Sequence, residues 1–290
     1  MNTISIIGAG GFIGKQLSEF LSKKGQRNYR IEKTFRSENS ENNSFFLDIT
    51  DKKQLEEYLL FSSPQWIIFV AGCKDVGWLQ SHSAQALEIN TYPVKNLVQI
   101  LKKHKIHSKI IFLSSDYVFD GSSGYYKDSD DPRPLTHYGK SKLLAEQALL
   151  NSDLEVKIVR TSAVLGLGGQ FFDWLLQSLK NNTPVKLYKN VYFSPTPIDF
   201  LDEIIFSIIE NEQNHPEKIL HVVGEKRLSR YELGKIVAGI LKISPEIILE
   251  ENLDFKKSLL QPDLSMIPSK SVSKRQTLSL EDNLKILVDY

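Results

Sequence analysis

The sequence predicts an α/β protein built on a doubly wound parallel sheet, and three observations carry that reading. Short apolar runs alternate with helical patterns along the chain, as β-α-β units require. The first run leads directly into Gly8-Ala-Gly-Gly11-Phe-Ile-Gly14, a glycine spacing that lets a strand turn tightly into a helix. Trp66-Ile-Ile-Phe-Val70 is nearly all apolar, as a strand covered on both faces should be.

Composition narrows the class. A chain of 290 residues, 41% hydrophobic and 24% charged, can bury one large domain or a domain with an appended lobe, and shows no sign of disorder. The formal net charge of +1, with Lys and Arg scattered, gives no electrostatic footprint for nucleic acid or an acidic membrane. Cys73 stands alone, so no internal disulfide forms, and it reads as a small apolar residue at a strand end. No Cys/His cluster has zinc-ligand spacing, and no metal is expected. The start lacks a basic signal region and no apolar run approaches the ~18 residues that span a bilayer, so a cytoplasmic protein without a membrane partner is expected.

Taken in order, Thr3–Ile7 is a buried strand, and Gly8, Gly11 and Gly14 open a helix to about Lys24. Gly8 permits the turn, Gly11 lets a pyrophosphate approach the backbone, and Gly14 lets the helix pack on the strand. The helix start supplies free N–H groups for phosphate, so the spacing points to a Rossmann-type dinucleotide site. A second strand, Tyr29–Phe35, ends at Arg36, where an acid would bind a ribose 2′-hydroxyl or a base would accept a 2′-phosphate. The nearest acid, Glu38, is further on, so NADP(H) is expected ahead of NAD(H). Ser44–Thr50 reads as a third strand, with Asp48 and Ile49 placed to meet an adenine, or Asp48 to cap the next element. A helix follows from Asp51 to Phe61, then the apolar fourth strand, which ends in Ala71-Gly72, small residues where a cofactor can pass. A helix is expected from about Ala84 to His104. It carries Asn90, read either as a polar packing residue or as a group near the active site.

Lys109–Leu113 is the next strand, and it ends in hydroxyl side chains, Ser114 and Ser115. A helix beginning near Thr136 then places Tyr138 and Lys142 on one face. A phenol has a reference pKa of ~10. An ammonium beside it would lower that value and make Tyr138 a general acid for a carbonyl, whose oxygen Ser115 would also hydrogen-bond. Tyr-x-x-x-Lys recurs at Tyr29/Lys33 and Tyr231/Lys235, but neither pair follows a strand ending in Ser-Ser; those are surface or packing residues. Val156–Gly166 is a sixth strand, and helices are expected at Phe171–Lys180, Ile198–Glu210 and, behind the capping box Ser229-Arg-Tyr-Glu232, to about Leu241. Lys218–Val223 is a further strand, and Ser244–Tyr290 reads as irregular. The histidines sit in no acid or nucleophile constellation.

Gly8-x-x-Gly11-x-x-Gly14, Ser115 and Tyr138-x-x-x-Lys142 together resemble an extended short-chain dehydrogenase/reductase. More narrowly, Leu113-Ser-Ser-Asp-Tyr-Val-Phe-Asp-Gly121, Pro134-Leu-Thr-His-Tyr-Gly-Lys-Ser-Lys142 and Arg160-Thr-Ser162 are similar to the dTDP-4-dehydrorhamnose reductase family, as are Ser194-Pro-Thr196 and His221–Leu233. The resemblance implies a dinucleotide-binding domain over residues 1–166, joined again by 198–224, and a smaller C-terminal lobe of 167–197 and 225–290 that binds a nucleotide sugar. It implies NAD(P)H-dependent reduction of the 4-keto group of a nucleotide-linked 4-keto-6-deoxysugar, in making sugars for surface polysaccharides.

On the matching positions Tyr138 would protonate the ketone oxygen, Ser115 would position it, and Lys142 would lower the Tyr138 pKa and hold the nicotinamide ribose. The cofactor set implied is Gly8, Gly11, Phe12, Ile13, Gly14, Arg36, Asp48, Ile49, Ala71, Gly72 and Ser114, with Tyr138 and Lys142. The substrate set is Ser115, Asp116, Val118, Trp78, Ala163 and Thr196; a homodimer is left open. Members usually carry Trp where Ala163 stands, Asn where Val70 stands, and Tyr-Thr-x-Val-Asp where this chain has Cys73-Lys-Asp-Val-Gly77; Trp78 would supply a replacement ring. A related dehydratase would need Asp-Glu after the hydroxyl residue, and Asp116-Tyr117 lacks the second carboxylate. An epimerase, or a cofactor-binding regulatory subunit without turnover, are the remaining alternatives.

Overall fold

The computed structural model describes residues 2–25, 28–37 and 42–289; Glu38, the acid weighed against Arg36, lies outside them. The chain folds into two compact units, one running to Val118 with Pro134–Val159, the other made of Phe119–Arg133 and the chain from Arg160 onwards.

The first unit alternates strand and helix: β1 (Asn2–Ile7), α1 (Phe12–Lys24), β2 (Tyr29–Phe35), β3 (Ser44–Phe46), α2 (Lys52–Ser62), β4 (Trp66–Phe69), α3 (Val76–Ser81), α4 (Ser83–Asn90), α5 (Tyr92–His104), β5 (Lys109–Ser115), α6 (His137–Leu150) and β6 (Val156–Thr161), which belongs to this unit up to Val159. Its strands lie in the order β6-β5-β4-β1-β2-β3. β1 pairs in parallel with β2 on one side and β4 on the other, so the order reverses at β1 and opens a crevice beyond the strand ends. Burial explains why these runs are strands: Ile4, Ile6 and Ile7 are wholly buried, and every residue of β4 is buried.

Local chemistry sets the helix ends. Asp51 caps α2 by accepting from the N–H groups of Lys53 and Gln54 at 2.9 and 3.2 Å, whereas Asp48 accepts from Thr50. The stretch expected as one helix from Ala84 to His104 is two, α4 and α5. Pro93 lies in the first turn of α5, has no N–H to continue the ladder of α4, and so begins a helix instead. The six-residue α3, carrying Trp78, was not expected; Asp75 starts it by accepting from the Trp78 N–H at 2.9 Å.

The second unit holds β7 (Val164–Leu165), α7 (Gln170–Lys180), β8 (Val185–Tyr188), β9 (Tyr192–Phe193), β10 (Thr196–Pro197), α8 (Ile198–Glu210), β11 (Ile219–His221), β12 (Leu228–Ser229), α9 (Arg230–Ile240), β13 (Ile248–Glu251), α10 (Lys270–Ser273) and α11 (Leu280–Asp289). β10 pairs with β7, β12 with β9 and β13 with β8. The capping box at Ser229 and Glu232 forms as expected. The tail is more regular than its sequence suggests: β13 adds to β8, and α11 buries Leu280, Leu284 and Leu287. Three apolar residues at helical spacing make too short a pattern to stand out from a polar segment.

The turn after β1 depends on an absent side chain. A Cβ at Gly14 would lie 2.2 Å from the Gly8 carbonyl oxygen and 2.9 Å from the Ala9 Cα, both backbone atoms that cannot swing aside. Gly14→Ala should therefore lower stability by about 1–3 kcal/mol, read as a reduced urea midpoint; an unchanged midpoint would show that the turn has slack.

Candidate active site

A cavity of about 880 Å³ occupies the crevice at β1 and β4. Of the residues expected to bind cofactor, Gly8, Gly11, Arg36, Asp48, Ile49, Ala71 and Gly72 line it; Phe12, Ile13 and Gly14 form the first turn of α1 outside the lining. Gly11 begins α1 without a side-chain cap and the first turn carries no acid, so its N–H groups and helix dipole face the cavity side uncompensated. The Asp48 carboxylate accepts from the Thr50 hydroxyl and N–H at 2.7 and 2.9 Å, which hold its pKa below the usual range, with a smaller pull from Arg36. Trp78, expected beside a sugar, stands in the wall of this same cavity.

The second cluster lies where α6 meets the end of β5. Thr136 caps α6 by accepting from the Gly139 N–H at 3.0 Å. Gly139 is required there: a Cβ would lie 2.0 Å from the Tyr117 carbonyl oxygen. The close approach brings Tyr138 edge-on to Tyr117, ring centroids 5.5 Å apart, and within hydrogen-bond reach of Ser115. Ser115 also donates to Asp116 at 2.9 Å. Asp116 and Val118, both buried, form the turn that follows.

Burial pushes the Tyr138 phenol up to about 12; Ser115 offsets part of that, while Asp116 and Cys73 add to it. The phenol is thus neutral at physiological pH and able to donate a proton. Lys142, expected to lower this pKa, is engaged elsewhere. Its ammonium donates to the Leu113 carbonyl at 2.6 Å and lies 4.1 Å from the centre of the Phe112 ring. Burial pulls Lys142 down to about 8, against the attraction of Glu146.

Two residues that the motif reading passed over or left open complete the cluster. Glu146 is wholly buried and accepts a short hydrogen bond from Ser114. Its position, one turn beyond Lys142 and two beyond Tyr138, was the available signal. Asn90, 2% exposed, ties the loop after β4 to α6: its carbonyl accepts from the Cys73 N–H at 2.8 Å, and its amide donates to the Cys73 carbonyl at 3.0 Å and to Ser141 at 3.1 Å. Ala163 and Thr196 lie in the second unit, where the Thr196 N–H donates to the Ala163 carbonyl at 3.0 Å and Thr196 is fully buried. Among the described residues no group of His, Cys, Asp and Glu has the geometry to hold a metal, and no helix is long and apolar enough to cross a membrane.

Chemically, the first unit joins a crevice suited to a phosphate-bearing dinucleotide with a neutral phenol beside a serine hydroxyl, a pair suited to protonating a carbonyl oxygen. The model of the RmlD substrate binding domain matches residues 1–286. A dTDP-4-dehydrorhamnose reductase of Aggregatibacter actinomycetemcomitans is 30% identical over 237 residues, covering 80% of this chain and 76% of that protein. The crystal structure of a hypothetical dTDP-4-dehydrorhamnose reductase from Sulfolobus tokodaii is 31% identical and superposes with a TM-score of 0.80 over 96% of this chain and 95% of its own. A dTDP-4-dehydrorhamnose reductase from Bacillus anthracis in complex with NADP, at 23% identity, shares the fold with a TM-score of 0.83 over 99% of both chains.

Asn90→Ala would leave the part-buried Cys73 N–H and carbonyl without this partner, while the Ser141 hydroxyl keeps its bond to the Tyr138 carbonyl. A loss of about 1–3 kcal/mol is expected in denaturant unfolding; an unchanged unfolding midpoint would mean that other groups replace the amide.

Proposed function

The chain belongs to the family of the RmlD substrate binding domain, and on that premise we propose that it reduces the 4-keto group of a nucleotide-linked 4-keto-6-deoxysugar with NADPH. It is an NAD(P)H-dependent oxidoreductase. The observation that carries the proposal is the neutral Tyr138 phenol held against Ser115 at the end of β5. The nicotinamide, when bound, supplies the hydride. The residues present suit it: the uncapped start of α1 with Gly8 and Gly11 for the pyrophosphate, Gly14 for the close approach of α1 to the turn after β1, Asp48 and Ile49 for the adenine end, and Ala71 and Gly72 where the chain must stay small. Arg36 lines the cavity at the end of β2 and favours the 2′-phosphate of NADPH over NADH.

Tyr138 delivers its proton to the developing alkoxide, and Ser115 hydrogen-bonds the same oxygen and fixes its direction. Lys142 supplies positive charge beneath the site, and Ser114 with Lys142 borders the nicotinamide side. Asp116, Val118, Ala163 and Thr196 take the sugar. Because Ala163 replaces the tryptophan usual in the family, a panel of nucleotide-linked keto sugars is the relevant test rather than one substrate. On this reading the protein acts in the cytoplasm.

Tyr138→Phe should cut turnover by about 10²–10⁴ while NADPH affinity, read by calorimetry, stays within about twofold; equal loss of both would make Tyr138 structural. The pH dependence follows from Lys142. At about 8 its folded pKa puts the charged form below pH 8, so turnover should fall as pH rises through that value, while Tyr138 at about 12 stays protonated throughout. Glu146→Gln removes the attraction that opposes burial, so the alkaline midpoint should move to lower pH by about one unit. An unmoved midpoint would separate the limb from Lys142.

A further inference from the structure

Trp78 is 40% exposed, and both its backbone and its ring have partners. Its backbone N–H donates to Asp75 at 2.9 Å, its backbone carbonyl pairs with His82 Nδ1 at 2.8 Å, and its indole stacks on the His82 ring with centroids 4.5 Å apart and planes 14° from parallel. A large ring stacked on its neighbour and part-bare to water is suited to cover something.

Its surroundings say what. Trp78 shares the cavity lining with Gly8, Gly11, Asp48, Asp75, Glu88 and Ile89. Asp75, whose carboxylate accepts from the Trp78 N–H at 2.9 Å, repels phosphate beside the indole, whereas the uncapped start of α1 and Arg36 attract it. Charge therefore favours the phosphates toward α1 and Arg36, and an uncharged portion toward Trp78. In that lining a part-exposed indole is complementary to a flat heteroaromatic ring.

We propose that Trp78 is a binding residue for a heteroaromatic ring of the dinucleotide, not for the sugar. The inference rests on the dinucleotide reading above and assigns one residue that the family motifs do not include. Either ring, adenine or nicotinamide, would satisfy the chemistry, and truncated ligands separate them.

The test is ligand binding without turnover. NADPH is titrated into the wild-type protein, Trp78→Phe and Trp78→Ala by calorimetry and by tryptophan emission, with 2′,5′-ADP and nicotinamide mononucleotide as probes of the two halves. Loss of stacking should weaken NADPH about tenfold in Trp78→Ala, with a smaller loss in Trp78→Phe. The emission difference between wild type and Trp78→Phe isolates this indole from Trp66 and Trp174, and NADPH should quench it. A matching loss for 2′,5′-ADP assigns the adenine; a loss confined to NADPH and the mononucleotide assigns the nicotinamide. Wild-type NADPH affinity in Trp78→Ala, or an unquenched difference signal while NADPH binds, overturns the proposal and leaves the dinucleotide reading intact. NADPH that fails to bind the wild-type protein overturns both. Should Trp78→Ala not fold, the emission difference still decides.

Discussion

Three consecutive residues at the end of β5 are each tied to a different residue of α6. The Leu113 carbonyl accepts from Lys142, Ser114 donates to Glu146, and Ser115 lies within hydrogen-bond reach of Tyr138. The strand cannot slide or the helix rotate without breaking all of them, and each of the helix residues is a turn from the next. Gly139 makes the seam possible, since any side chain there would collide with the Tyr117 carbonyl. The chemistry ascribed to the first unit depends on this seam.

Burial along the seam moves two groups in opposite directions, each toward its neutral form: Tyr138 up to about 12 and Lys142 down to about 8. The seam also supplies what limits the movement, Ser115 for the phenol and Glu146 for the ammonium. The result is a phenol that stays protonated at physiological pH, as the proposed proton donor must. The neighbouring crevice, by contrast, is lined by glycines, an uncapped helix start and an indole.

The parts that were legible in the sequence are those set locally. The glycine turn into α1, the helix start near Thr136 and the capping box at Ser229 each involve residues within a few positions of one another, and each forms as read. The parallel sheet followed from apolar runs at β-α-β spacing. What escaped is tertiary or too short. The split at Pro93 was signalled by the proline itself, while α3 had only Asp75 to announce it. That Lys142 reaches the Leu113 carbonyl depends on how deeply α6 packs, which no spacing encodes. Glu146 looked like one more helix glutamate until its burial appeared. That Trp78 lines the cavity at β1 and β4 has the same cause: the turn at Asp75 decides which way the loop after β4 runs.

The most direct measurement is oxidation of NADPH by the purified protein across a panel of nucleotide-linked 4-keto-6-deoxysugars, with the reduced sugar identified as product. Turnover on at least one member, with one sugar hydroxyl formed per NADPH consumed, is the predicted result. NADPH that binds tightly while every sugar in the panel is returned unreduced would contradict the reductase and leave a cofactor-binding protein in its place.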